Sequence, residues 1–186
     1  GKVVPRSGNA VTLATEAKVI RLAKDCGVPV ASVPYVLTDS DNLGPGYIMG
    51  RVEGETIARK ILRDAEYAAA RPILARQCGR ILAAIHALDT SSLGELNVVP
   101  AEAQLNQYRA LYDSYDYPHP VFEVAFKWLE KRLPASTKTT LVHGDFRNGN
   151  LMIGRDGVRA VLDWELVHIG DPAEDLGWIC VNSWRF

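Results

Sequence analysis

The sequence predicts an α+β fold, and three observations predict it. The front third carries two apolar, strand-like runs separated by turn chemistry, ASVPYVL (31–37) and GYIMGRV (46–52). Helical periodicity dominates the middle, above all in PILARQCGRILAAIHAL (72–88). Near the end, LMIGRDGVRAVL (151–162) reads as a hairpin. Strands in front, helices behind and one late hairpin differ from the strict alternation of a doubly wound sheet.

The elements follow in order. TLATEAKVIRLAKDC (12–26) sets Leu13, Ala17, Ile20 and Ala23 at helical spacing, and Gly27 and Pro29 stop the helix. Glu16 lies three residues after Leu13 and four before Ile20, near the inward stripe. Pro34 marks 31–37 as an edge strand, and TDSDNLGPG (38–46) is a turn before the strand 46–52. A short helical segment surrounds Ile57–Asp64. Pro72, a favoured first helical residue, opens the longest helix, whose stripe is Leu74, Cys78, Ile81, Leu82, Ile85 and Leu88. Helices over 101–112 and 121–133 are split by DSYDYPHP, short strands flank residues 143–150, and DPAEDLGW opens a last helix.

Composition excludes several classes. The 186 residues leave room for one domain with a sizeable core or two small lobes. A net charge of −1 gives no general pull toward nucleic acid or an anionic bilayer. Cys26, Cys78 and Cys180 form no CxxC pair, which argues against a disulfide framework or zinc knuckle, and they read as inert core. No apolar run approaches the ~18 residues of a membrane span, so the expected compartment is cytoplasmic. The turn-rich opening GKVVPRSGNA and the ending WICVNSWRF, inside an apparent helix, read as part of something longer.

The loop HGDFRNGN (143–150) holds an acid and two amides where a connector needs only a turn. If Asp156-Gly157 is the two-residue turn of the hairpin, Arg155 faces Val158, Gly154 faces Arg159, and Asn150 comes opposite Asp163. Facing residues lie about 4.5–5.5 Å apart. An amide oxygen and a carboxylate then converge at the hairpin's open end, with Asp145 in the loop leading to it. Such a pair, completed by phosphate oxygens, suits Mg²⁺, and a separate upstream carboxylate can take a hydroxyl proton.

HGDFRNGNLM, VLDWE and GDPAEDLGW, in that order, resemble the aminoglycoside phosphotransferase-like family, small-molecule kinases on the protein-kinase fold. TEAKVIRLAKDCGVPV, YIMGRVEGE and LAAIHALD extend the resemblance over most of the chain, nearest the bacterial phosphotransferases related to the kinase-like domain of some acyl-CoA dehydrogenases. It implies a two-lobed fold, with residues 1–53 as a partial nucleotide lobe and hinge and 54–186 as a partial large lobe. It implies Asp145 as catalytic base, Asn150 and Asp163 as Mg²⁺ ligands, and ATP or GTP as phosphoryl donor. His143 is then structural. Met49 walls the adenine pocket, the backbones of Gly50 and Val52 meet the adenine edge, and Glu16 pairs with a phosphate-gripping cation.

Departures accompany the likeness. Gly144 replaces the Arg of the kinase loop, and Asp163-Trp164-Glu165 replaces Asp-Phe-Gly. The chain has no glycine-rich phosphate loop, and Lys2 is the one lysine upstream of Glu16. The first small-lobe strands with their cation are expected before Gly1, and the last large-lobe helices after Phe186. A chain without them is expected to be poorly active. Asp175 reads as structural, His86 as a packing or capping residue, His119 and His168 as loop residues, and Glu165 as either an outer ligand or a salt-bridged acid. The tyrosines of YRALYDSYDY (108–117) read mainly as packing, with a substrate site as the alternative. The function implied is phosphoryl transfer to a hydroxyl of a small-molecule acceptor. Its alternatives are a non-catalytic nucleotide-binding or regulatory module and an unrelated Mg²⁺-dependent hydrolase. Aminoglycosides, sugars, amino alcohols and hydroxyacyl thioesters all remain open as acceptors.

Overall fold

The computed structural model describes residues 10–94, 96–134 and 138–182. Within them the chain is α+β. Helix α1 (Leu13–Asp25) starts where Thr12 Oγ1 accepts the N–H of Thr15 at 3.1 Å. It stops before Gly27, whose φ of 83° suits glycine. Its inner face buries Ala17, Val19, Ile20 and Ala23, together with Glu16.

Strands β1 (Tyr35–Val36) and β2 (Tyr47–Ile48) pair antiparallel, Tyr35 with Ile48 and Val36 with Tyr47. They are shorter than the runs 31–37 and 46–52. Pro34 has no N–H to give a ladder, although the Gly50 N–H still reaches the Ser32 carbonyl at 2.8 Å.

Five helices follow: α2 (Ala58–Arg63), α3 (Arg71–Ile85), α4 (Ala101–Ser114), α5 (Pro120–Glu130) and α6 (Ala173–Ile179). From the stripe of α3, Ile81, Leu82 and Ile85 are buried, Leu88 just beyond it is buried too, and Leu74 and Cys78 pack against the core from its edge. Helix α5 buries none of its residues. It leans on α4, where Arg109 grips Glu123 at 2.8 Å and Tyr112 meets Phe122 and Phe126.

Two sheets carry the loop 143–150. Strands β3 (Val98–Val99), β4 (Thr140–Val142) and β7 (His168–Gly170) take the order β3-β7-β4, with β7 antiparallel to β4 and parallel to β3. The sequence pattern gives no sign of β3 or β7, because two or three residues are too few to show alternation. His168 is accordingly a buried strand residue, not a loop residue.

The hairpin is β5 (Leu151–Gly154) with β6 (Gly157–Val161). Its register corrects the expected one. Gly154 pairs with Gly157 and Ile153 with Val158, so Arg155 and Asp156 form the turn. A bulge follows, after which Met152 pairs with Ala160 and Leu151 with Val161. Earlier turn and bulge together leave the register one residue short. Leu162, not Asp163, therefore faces Asn150, donating its N–H to the Asn150 carbonyl at 2.8 Å.

Backbone contacts tie the front third to this hairpin. Glu55 and Ile153 exchange two bonds of 2.9 Å, and Val161 donates to the Pro29 carbonyl at 2.8 Å. Gly54 is needed beside them, since a Cβ there would stand 2.7 Å from the Ile153 carbonyl oxygen. Val11, just before α1, donates to the Glu165 carbonyl at 2.9 Å. The core between these parts holds Trp164, Phe146, Leu82, Ile85, Leu141 and Leu151.

Candidate active site

The chain leaves β4 into His143, which is fully buried. Its Nε2 faces the Leu162 carbonyl at 3.0 Å, and its Nδ1 accepts the Asp145 N–H at 3.2 Å. One ring nitrogen donates and the other accepts, so the imidazole is the neutral Nε2–H tautomer. Burial pushes its pKa below 6.5, against the pull of the nearby Asp175 carboxylate. His143 packs against Trp164, ring centres 4.8 Å apart, and holds the loop's shape.

Asp175 supplies the second anchor. Its buried carboxylate accepts the N–H groups of His143 at 2.9 Å and Gly144 at 3.0 Å, and lies 3.0 Å from His86 Nε2. The structural reading of Asp175 holds. His86 does more than pack, since it joins the end of α3 to the loop through Asp175. Gly144, at φ 81°, passes so close that a Cβ would stand 2.6 Å from the Leu166 carbonyl oxygen.

These anchors present Asp145. Its Oδ2 accepts Asn150 Nδ2 at 2.6 Å, and its Oδ1 accepts Trp178 Nε1 at 2.6 Å and Arg147 Nε at 3.0 Å. Charge-assisted bonds of this kind fix a carboxylate's direction. Arg147 and Trp178 escape the sequence reading. The first had a signal, a cation two residues after an acid in one loop. The second had none, lying 33 residues away on α6.

Asn150 is buried, and its amide nitrogen is committed to Asp145, at the backbone carbonyl (3.0 Å) as well as Oδ2. No described residue donates to its Oδ1. Asp163 is exposed, and no described residue hydrogen-bonds or ion-pairs with its carboxylate. Its φ of 62° is left-handed, costing about 1–2 kcal/mol for an ordinary residue and less for Asp. That conformation breaks the pleat just where the expected facing pair had relied on it. Trp164 beside it is buried and donates to the Val161 carbonyl at 3.2 Å, pinning the strained residue. Among the described residues no three His, Cys, Asp or Glu side chains gather as a metal site. The donor set is an amide oxygen and a carboxylate, hard oxygens that fit Mg²⁺, a cation that keeps waters and takes few protein ligands.

The remaining expected residues occupy the front third. Met49 is about half exposed beside β2. The N–H of Gly50 is spent on the Ser32 carbonyl at 2.8 Å, and Val52 lies outside any helix or strand. Glu16 is buried on α1, whose start is tethered to Glu165, two residues after Asp163. Lys2 lies outside the described residues.

A cavity of about 460 Å³ opens beside Gly144 and Leu166, between α4 and the β3–β7 edge. Tyr108 lines it, whereas Tyr112 packs on α5 and Tyr115 and Tyr117 are exposed. Cys78 alone of the cysteines approaches the core, and burial pushes its thiol up to about 11. Cys26 and Cys180 are exposed, contrary to the core reading. No helix among the described residues is long and apolar enough to cross a membrane.

Residues 2–186 match the model of the phosphotransferase enzyme family APH. Acyl-CoA dehydrogenase family member 10 of Mus musculus is 33% identical over 184 residues, covering 93% of this chain and 17% of that protein. A solved structure from Ralstonia eutropha, assigned to the aminoglycoside phosphotransferases, is 27% identical with a TM-score of 0.74, over 90% of this chain and 54% of that one. The streptomycin–ATP–APH(2")-IIa ternary complex shares the fold at 19% identity, TM-score 0.59, over 87% of this chain and 57% of that one. The chain thus spans about half of these solved structures and a sixth of the curated relative. With the protein-kinase-like α+β fold and the match along its whole length, the chain belongs to the APH phosphotransferase enzyme family.

Proposed function

We propose that the chain serves a nucleotide-dependent phosphotransferase that moves the γ-phosphoryl group of ATP or GTP to a hydroxyl of a small-molecule acceptor. One observation carries the reading. The Asn150 amide nitrogen holds the Asp145 carboxylate at 2.6 Å while its oxygen is left for a cation, so one side chain couples the base to the metal position. Asp145 would orient the acceptor hydroxyl and take its proton, work that typically contributes ~10²–10⁴-fold. Asn150 Oδ1 and the Asp163 carboxylate would hold Mg²⁺, which when bound neutralises charge on the nucleotide phosphates. The left-handed strain at Asp163 is of the sort kept at functional sites.

Residues 1–53 then belong to the nucleotide lobe and hinge, and 54–186 to the large lobe. Met49 would wall the adenine pocket, and the Gly50 carbonyl and Val52 backbone would meet the adenine edge. Glu16 would steady a phosphate-gripping cation. ATP in one structural relative and streptomycin as its companion ligand support a nucleotide donor and a small-molecule acceptor.

The test is thermal stabilisation by MgATP, MgGTP and Mg²⁺ alone, for the native chain and Asp163→Ala. Stabilisation that needs nucleotide and vanishes in the variant is expected. Equal stabilisation of both, or none of either, sinks the reading.

A further inference from the structure

We propose that the cavity between α4 and the β3–β7 edge receives the acceptor, and that it selects an uncharged hydroxyl compound with an apolar body rather than a polycationic amino sugar. This rests on the phosphotransferase reading of the neighbouring loop. The cavity touches Gly144, which precedes Asp145, and Leu166, which lies three residues after Asp163. A reacting hydroxyl must come within hydrogen-bond reach of the base, and Gly144, bonded directly to Asp145, brings the cavity wall to the backbone that carries it. Its volume, about 460 Å³, falls inside the ~300–1,000 Å³ range of small-molecule sites.

The chemistry of the walls sets the class. Val99, Leu111, Leu166 and the Tyr108 ring supply apolar surface, and the amides of Asn97 and Gln104 supply neutral donors and acceptors. Among the described lining residues there is a single carboxylate, Glu174. It is already matched, because His168 Nε2 lies 3.1 Å from Glu174 Oε2 and His168 Nδ1 lies 2.8 Å from the Leu166 carbonyl. Both ring nitrogens face acceptors, the arrangement of an imidazolium, so the pair brings no net negative charge. An amino sugar would have to bury several ammonium groups against described lining residues that offer them no unmatched carboxylate, which is unfavourable. A neutral hydroxylated ligand meets amides and apolar surface at no such cost.

The experiment follows the backbone amide signals of Gly144 and Leu166 in the full chain by NMR. The probes are neutral alkyl glycosides and N-hydroxyethyl amides of aliphatic acids in one titration, and kanamycin in another. Neutral probes are expected to shift both signals, kanamycin to leave them in place, and Leu111→Trp, a half-exposed position on α4, to abolish the shifts. Kanamycin moving these signals, or no neutral probe moving them, overturns the proposal, as do shifts that survive Leu111→Trp. MgATP stabilisation is read on the same samples. Its absence would sink the phosphotransferase reading while the cavity's preference stands; its presence beside a failed titration sinks only the cavity's role.

Discussion

Asp175, on the last helix, accepts the backbone N–H of His143 at 2.9 Å across 32 residues of chain, and in doing so sets the start of the loop that carries Asp145. The same carboxylate holds Gly144 and meets His86. Asp175→Ala strands three donors, two on the loop and one at the end of α3, and should cost about 3–5 kcal/mol. Asp171→Ala removes only the exposed bond to the Ala173 N–H at 2.9 Å and should cost about 1 kcal/mol. Urea unfolding of the two variants checks this, and equal losses would refute the anchoring role.

Asp145→Asn keeps the loop's size and one acceptor oxygen, but removes the proton-accepting carboxylate. Turnover should fall roughly 10²–10⁴-fold. Nucleotide affinity should stay within a few-fold, because the proposed metal oxygens are those of Asn150 and Asp163. Steady-state kinetics with a supporting acceptor, alongside nucleotide titration, separates the two effects.

Asp163→Gly should move stability and function in opposite directions. Glycine adopts the 62° φ without steric penalty, so thermal stability should be kept or rise by up to about 1 kcal/mol. MgATP-dependent stabilisation should disappear with the carboxylate. A variant that loses stability and keeps its MgATP response would show that the acid serves the fold instead.

Two histidines give the pH profile opposite slopes. The His143 pKa is depressed below 6.5 by burial, so the unfolded chain takes a proton that the folded chain refuses. Stability therefore falls as pH drops below about 6.5, until the folded value is reached. For His168 burial pulls downward, but the Glu174 carboxylate and the Leu166 carbonyl outweigh it and raise the pKa. Its contribution is present below about 6.5 and is lost as pH rises through the folded value. Melting temperatures across this range should show both slopes, with His168→Gln flattening only the alkaline side.

The sequence by itself determined the elements whose periodicity is long and the loop whose residue types are chemically marked. Helices α1 and α3 appear where Ala17, Ile20, Ile81, Leu82 and Ile85 place an apolar stripe, because local spacing alone creates that face. HGDFRNGN and the acid after VL marked Asp145, Asn150 and Asp163 as candidates, since an acid and two amides in a tight loop between apolar strands exceed what a connector needs. What needed the tertiary structure was everything decided by a partner distant in the chain. The hairpin register turned on a bulge between Met152 and Ile153 and on the Val158 N–H being caught by Gln77 of α3. Strands β3 and β7 exist because each completes the other's backbone bonds, a condition that two or three residues cannot announce alone. Trp178 reaches Asp145, and His168 meets Glu174 at the cavity, only once α6 has packed. Pattern fixes what a segment can be, whereas pairing and packing fix which atoms it finally faces.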